Sequence, residues 1–143
     1  MPTLKGTEKQ IQWAGQIRDD LAAAWGNHPS DTTGRVKDAA SVVAGMGHAK
    51  QLIDMRDVVG DPKQLVATVA RGREIAAAVT ANAGKVPEKD VAKTLGHMNI
   101  EAAAVAYHLL NPDAPTYDGY GQTAAPRFKM WLTGKLPLPK GGA

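Results

Sequence analysis

A chain of 143 residues with 43% hydrophobic and 22% charged side chains has the length and composition of one globular domain. It contains no cysteine, which excludes disulfides, thiolate nucleophiles and cysteine-ligated zinc or iron–sulfur centres. Its formal net charge of +3, from 17 Lys and Arg against 14 Asp and Glu, suits a nucleic-acid partner but is far from that of a protein that coats DNA.

The first element is marked by Thr7 and Gln10, which have the spacing of a capping box, and by Glu8, which suits the positive end of a helix dipole. Ile11, Ala14, Ile17, Leu21 and Trp25 recur at helical spacing until Gly26, Asn27 and Pro29 end the run. Residues 27–34, NHPSDTTG, read as a loop, and Arg35 to Ala44 as a second helix closed by Gly45-Met46-Gly47. His48 to Asp57 continues as a short helix or a kinked extension of the second. Asp61 and Pro62 then have the chemistry of a cap and a first helical residue, opening a long helix to about Gly84. Gly72 is expected to be a soft spot in it, costing about 1 kcal/mol against alanine.

Pro87 opens another short helix, EKDVAKTLG, and Ile100 to Leu110 a further one. Residues 111–126, NPDAPTYDGYGQTAAP, read as a Pro/Gly-rich surface loop, and Pro126 begins a last helix, RFKMWLTG. No run alternates long enough to be a strand, and aromatic residues are only 5%, so the core is built of small aliphatic side chains on closely packed helices. The expected fold is all-α: a single domain of five to seven helices over residues 1–134, followed by a flexible tail, 135–143. No apolar stretch approaches the roughly 20 residues of a membrane-spanning helix, and MPTLKGTEKQ lacks the apolar centre of a signal peptide. The expected location is the cytoplasm, with no membrane partner.

Catalytic chemistry finds no constellation. His97 and His108 are eleven residues apart, which on one helix puts them three turns distant, too far to share a metal. His28 and His48 stand alone in sequence. Asp54 and Asp57 lie one helical turn apart with no nucleophile or metal cage beside them, and read as solvated or paired with Arg56 and nearby lysines. The Gly-Arg and Gly-Lys pairs at 34, 84 and 134 lack the glycine spacing of a phosphate loop. The expectation is a non-enzymatic protein without metal or cofactor.

Thr7-Glu8-Lys9-Gln10, Trp13-Ala14 and Ile17-Arg18, followed by Ala49-Lys50 and Ile53-Asp54-x-Arg56, form two blocks. Together they resemble a set of small uncharacterised bacterial and phage proteins with the pattern [ST]-x-K-Q-x-x-W-A-x-x-I-R, then A-K-x-x-I-D-x-R. Gln51 and Leu52 stand where that pattern carries two tryptophans. The resemblance implies a phage or mobile-element accessory protein and assigns no activity. By helical spacing Gln10, Ala14, Ile17 and Leu21 form an inward stripe that Trp13 borders, so the first block is mainly the attachment of its helix to the core. Lys9, and with it Arg18, is left to bind. Arg18 and Arg56 are expected to tie helices together through carboxylates such as Asp19, Asp20, Asp54 or Asp57.

Two partner classes follow. The first is DNA or RNA, contacted by Lys9, Arg18, Lys50 and the terminal segment in which Arg127, Lys129 and Lys135 flank Phe128 and Trp131, although Phe128, Trp131 and Leu132 read equally as the core face of the last helix. Arg71 and Arg73, two apart on a helix, point away from one another and make no patch. The second is a nucleic-acid-processing protein complex, bound by an anti-CRISPR or anti-restriction type of inhibitor, with Tyr117 and Tyr120 as aromatic anchors. Salt separates them, since phosphate contacts weaken steeply with ionic strength.

Overall fold

Thr7 and Gln10 close the expected capping box: the Thr7 hydroxyl accepts from Gln10 N–H (3.2 Å) and the Gln10 side-chain carbonyl accepts from Thr7 N–H (3.1 Å). The helix they open, α1 (Glu8–Trp25), is the first of seven among the residues that the computed structural model describes, 2–139. The others are α2 (Arg35–Ala44), α3 (Ala49–Asp54), α4 (Pro62–Asn82), α5 (Val91–Leu95), α6 (Ile100–Leu110) and α7 (Ala125–Thr133). No strand forms among the described residues, and one isolated parallel bridge joins Lys5 to His48. The protein is all-α, as the periodicity predicts. Residues 140–143, the end of the expected tail with Lys140, lie outside the described residues.

The helices gather into two compact units, one up to Ala70 and one from Arg71, with α4 supplying residues to both. In the first, Ala14, Ile17 and Leu21 of α1 are buried with Ala39, Ala40 and Val43 of α2 and Ala49, Leu52 and Ile53 of α3. Ile11, expected on the same stripe, is exposed. The indole N–H of Trp25 donates to the Val59 carbonyl at 2.7 Å and so fastens the last turn of α1. Gly34, in the left-handed region, turns the chain into α2. The Asp31 carboxylate then accepts from the backbone N–H groups of Val36 (3.1 Å) and Lys37 (2.9 Å), which no residue within α2 can satisfy. These bonds, that from Lys37 foremost, hold the Asp31 carboxyl below its usual range. At α4 the expected cap is present, with Asp61 accepting from Lys63 N–H at 2.9 Å ahead of Pro62.

In the second unit α6 is the central element, with every residue from Ala102 to Tyr107 buried. Its alanines let α4 approach closely, and at Gly72 a Cβ would collide with the Val105 side chain and stand 3.1 Å from the Ala102 carbonyl. Gly72 is therefore not the soft spot that helix propensity suggests. It is the place where the two helices touch. Arg71 beside it clamps the end of α5, donating through Nη2 to the carbonyls of Leu95 (2.7 Å) and His97 (2.7 Å). The stretch 111–126 departs from a plain surface loop. Ala114, Tyr117, Thr123 and Ala124 are buried, and Tyr120–Ala124 winds as a wide π-type turn directly into α7. Its small residues permit burial that a reading of Gly and Pro as exposed punctuation overlooks.

Gly72→Ala is expected to destabilise by about 1–3 kcal/mol through overpacking. Gly15→Ala, in the interior of α1 where a Cβ meets nothing within 4 Å, should stabilise by about 0.5–1 kcal/mol. Urea unfolding of both variants checks the contrast, and equal effects would show that Gly72 is not a contact. Asp31→Asn should lower Tm at neutral pH. The contribution of this carboxylate is present above the pKa of an unfolded Asp and is lost as pH falls through its lower folded value, so the variant and the parent should converge in acid. A Tm difference unchanged from neutral to acid pH would place its origin elsewhere.

Candidate nucleic-acid interface

The segment ahead of α1 lies beside the segment ahead of α3. Lys5 N–H donates to Gly47 O (2.9 Å) and Ala49 N–H to Lys5 O (2.8 Å), a parallel pairing that starts both helices from one place. Gly6 makes the approach possible: a Cβ there would come within 3.0 Å of the Ala49 Cβ and of Gln10 Oε1, and its φ of 149° is one that other residues rarely adopt. With the two starts pinned, Lys9 and Trp13, one turn apart on α1, face Lys50 and Ile53 of α3 and Arg56 in the turn beyond it. Lys9, Gln10, Trp13, Lys50, Ile53 and Arg56 line one open groove of about 360 Å³. Every one of these residues belongs to the two sequence blocks.

Ile53 is buried and forms the apolar floor, while Trp13 remains 50% exposed. The Arg56 guanidinium carbon stands 5.8 Å from the centre of the Trp13 ring, at the outer reach of a cation–π contact, and Nη1 donates to the Ile53 carbonyl at 3.1 Å. Lys50 Nζ pairs with the buried carboxylate of Asp54 at 2.5 Å, which offsets part of its charge and fixes its direction. Lys9 is exposed and makes no ion pair among the described residues. The rim is thus cationic on both helices, with an aromatic face between.

Several expected contact residues lie elsewhere. Arg18 does tie its helix, but through carbonyls and not carboxylates: Nη2 donates to Met46 O at 2.8 Å and Nη1 to Pro2 O at 3.1 Å. Its Nε is buried without a partner among the described residues, and burial lowers its pKa; the two carbonyl bonds make Arg18 a strut between segments. Arg56 has no carboxylate partner of the kind expected among the described residues, and its place over Trp13 makes it a groove residue. In the second unit Trp131 is only 2% exposed, packed against Tyr107 and Phe128, so the terminal segment presents no aromatic ring for stacking. Tyr117 is likewise buried, its ring centre 5.3 Å from that of Tyr107, while Tyr120 is half-buried. Lys129 pairs with Glu88 at 2.6 Å and holds that carboxyl below its usual range, leaving Arg127 and Lys135 as the exposed cations there among the described residues.

Sequence reasoning passed over Trp13 and Arg56 as site residues. Trp13 and Arg18 stand about 70° on either side of the buried stripe of α1, so periodicity gives them equal claims to burial. The available signal was the Lys9–Trp13 spacing of one turn, which places a cation beside the ring. A wider concavity of about 470 Å³ runs past Trp25, His28, Arg35, Lys63 and Val66. There His28 Nδ1 and Ser30 Oγ lie 2.7 Å apart in a tight turn, and no carboxylate orients the far ring nitrogen among the described residues. No group of three or more metal-ligating side chains occurs among the described residues, and no described helix is long and apolar enough to cross a membrane.

No protein-family model, curated protein or solved structure matches this chain.

Arg18→Met is expected to destabilise by about 1–2 kcal/mol, because it strips the Met46 carbonyl of its donor, whereas Lys9→Ala should stay within about 0.5 kcal/mol of the parent. Denaturant melts of the two variants test this division between strut and free cation. Equal stability of both would remove the structural role given to Arg18.

Proposed function

We propose that this protein is a non-enzymatic accessory protein of a phage or mobile element that associates with nucleic acid through the groove between α1 and α3. The observation that carries the reading is the convergence of the two sequence blocks on that one surface. Their apolar members Ala14, Ile17, Ala49 and Ile53 are buried, as any helix attachment requires. Four of their other members, Lys9, Trp13, Lys50 and Arg56, surround one opening, while Arg18 ties its helix elsewhere. A purely structural motif has no need of three cations around a half-exposed indole. A surface that meets phosphates and bases has need of both. The phage or mobile-element origin rests on the resemblance of the two blocks alone.

A second reading keeps the same groove and changes the occupant. Trp and Arg are the residue types that most often anchor protein interfaces, and Trp13 beside Arg56 suits the acidic face of a nucleic-acid-processing protein, as an anti-CRISPR or anti-restriction inhibitor would engage it.

Titration of the purified protein with DNA and RNA probes over a range of salt concentrations tests the first reading. With Lys9, Lys50 and Arg56 as phosphate contacts, log K should fall against log salt with a slope of about −2 to −3, and Lys9→Ala should reduce its magnitude by about 0.7–0.9. Arg127→Ala should change little. Absence of binding at low salt, or loss of binding on Arg127→Ala with none on Lys9→Ala, would overturn the assignment. Absence of all nucleic-acid binding would leave the protein-docking reading.

A further inference from the structure

We infer that the groove selects single-stranded over duplex nucleic acid, by stacking one unpaired base on the indole of Trp13 while Lys9 and Arg56 take the adjoining phosphates; this rests on the nucleic-acid reading of the same groove. Three observations lead to it. The first is shape. The cationic side chains do not stand along a ridge that enters a DNA groove. They ring a recess walled by Trp13 and floored by Ile53, with a volume of about 360 Å³, the low end of the range that receives a small planar ligand. In a duplex the base faces are covered by their neighbours and only the edges are offered in the grooves. In a single strand a base can turn out of the stack and lie against an aromatic plane.

The second is the state of the indole. Trp13 is 50% exposed, the largest exposure among the exposed large apolar side chains described, while the other two tryptophans are committed elsewhere. Trp25 donates its N–H to Val59 O, and Trp131 is enclosed by Tyr107 and Phe128. The third is what already lies over the ring. The Arg56 guanidinium, itself planar, stands 5.8 Å from the ring centre, so the indole face is open to a flat group. At that distance the contact is weak, and Arg56 is exposed on a long side chain. An entering base displaces it from the ring toward the rim, where the guanidinium meets the phosphate that the base brings. Lys50 is restrained by Asp54 and contributes less, which leaves Lys9 on one side and Arg56 on the other to grip the backbone of the strand.

The experiment compares an oligothymidylate and an oligouridylate of about a dozen nucleotides with a blunt duplex of the same length, by fluorescence anisotropy at low salt, for the parent protein, Trp13→Ala, Trp13→Phe and Lys9→Ala. The single strands should bind the parent about tenfold or more tighter than the duplex. Trp13→Ala should weaken single-strand binding about tenfold or more with less than about a twofold effect on the duplex, and Trp13→Phe should recover most of the loss. Lys9→Ala should weaken both probes alike. Intrinsic tryptophan emission, quenched by the single strand in the parent, should be unquenched in Trp13→Phe, a readout that a structural role of Trp13 would not move. Equal or tighter duplex binding, or an equal loss on both probes for Trp13→Ala, would overturn the single-strand inference and leave the nucleic-acid reading standing. Absence of binding to every probe would overturn both.

Discussion

Two backbone hydrogen bonds, Lys5 N–H to Gly47 O and Ala49 N–H to Lys5 O, decide where α1 and α3 begin relative to one another. Everything on the candidate surface inherits its position from them. Helical geometry then carries Lys9 and Trp13 up one side of the groove and Lys50, Ile53 and Arg56 up the other, without any further long-range instruction. The pairing is possible because residue 6 is glycine, with its backbone against the Ala49 side chain, and because Thr7 and Gln10 start α1 at once by closing the capping box. A few residues of local chemistry thus fix the register of two helices, and the register makes the site.

The same economy explains how far the sequence could be read. Caps and turn formers placed α1, α2, α4 and α6 within a few residues of their observed bounds, because residues such as Thr7 and Asp61 act through bonds to neighbours along the chain. What was not legible depends on partners distant in sequence. Gly72 looks like a weakness in isolation and becomes a contact only when Val105 is brought against it. The basic end after Asp118 looks unopposed, yet Glu88 reaches Lys129. Trp13 and Arg18, symmetric about the stripe of α1, part company because Pro2 and Met46 supply carbonyls on the Arg18 side while the Trp13 side stays open.

A net charge of +3 is a weak guide to partners, and the arrangement of individual charges is a better one. In the second unit Arg71 is tied to backbone carbonyls and Lys129 to a carboxylate, so part of its positive charge serves internal structure. In the first unit Lys9 and Arg56 stand beside an exposed ring with no carboxylate answering them among the described residues. Cations without internal partners next to an unburied indole lower stability slightly compared with a neutral, fully packed surface. That combination is what supports the proposed reading of the groove as a binding surface.

The most direct test of the claim that the two sequence blocks form one binding surface is a residue-resolved one: amide and indole N–H resonances followed by heteronuclear NMR while a short single-stranded oligonucleotide is added. Shifts are expected to concentrate in the first turns of α1, in residues 50–56 and at the Trp13 indole, with the Trp25 and Trp131 indoles unmoved. Shifts confined to residues 125–135, or a Trp13 indole that does not respond while the protein binds, would contradict it.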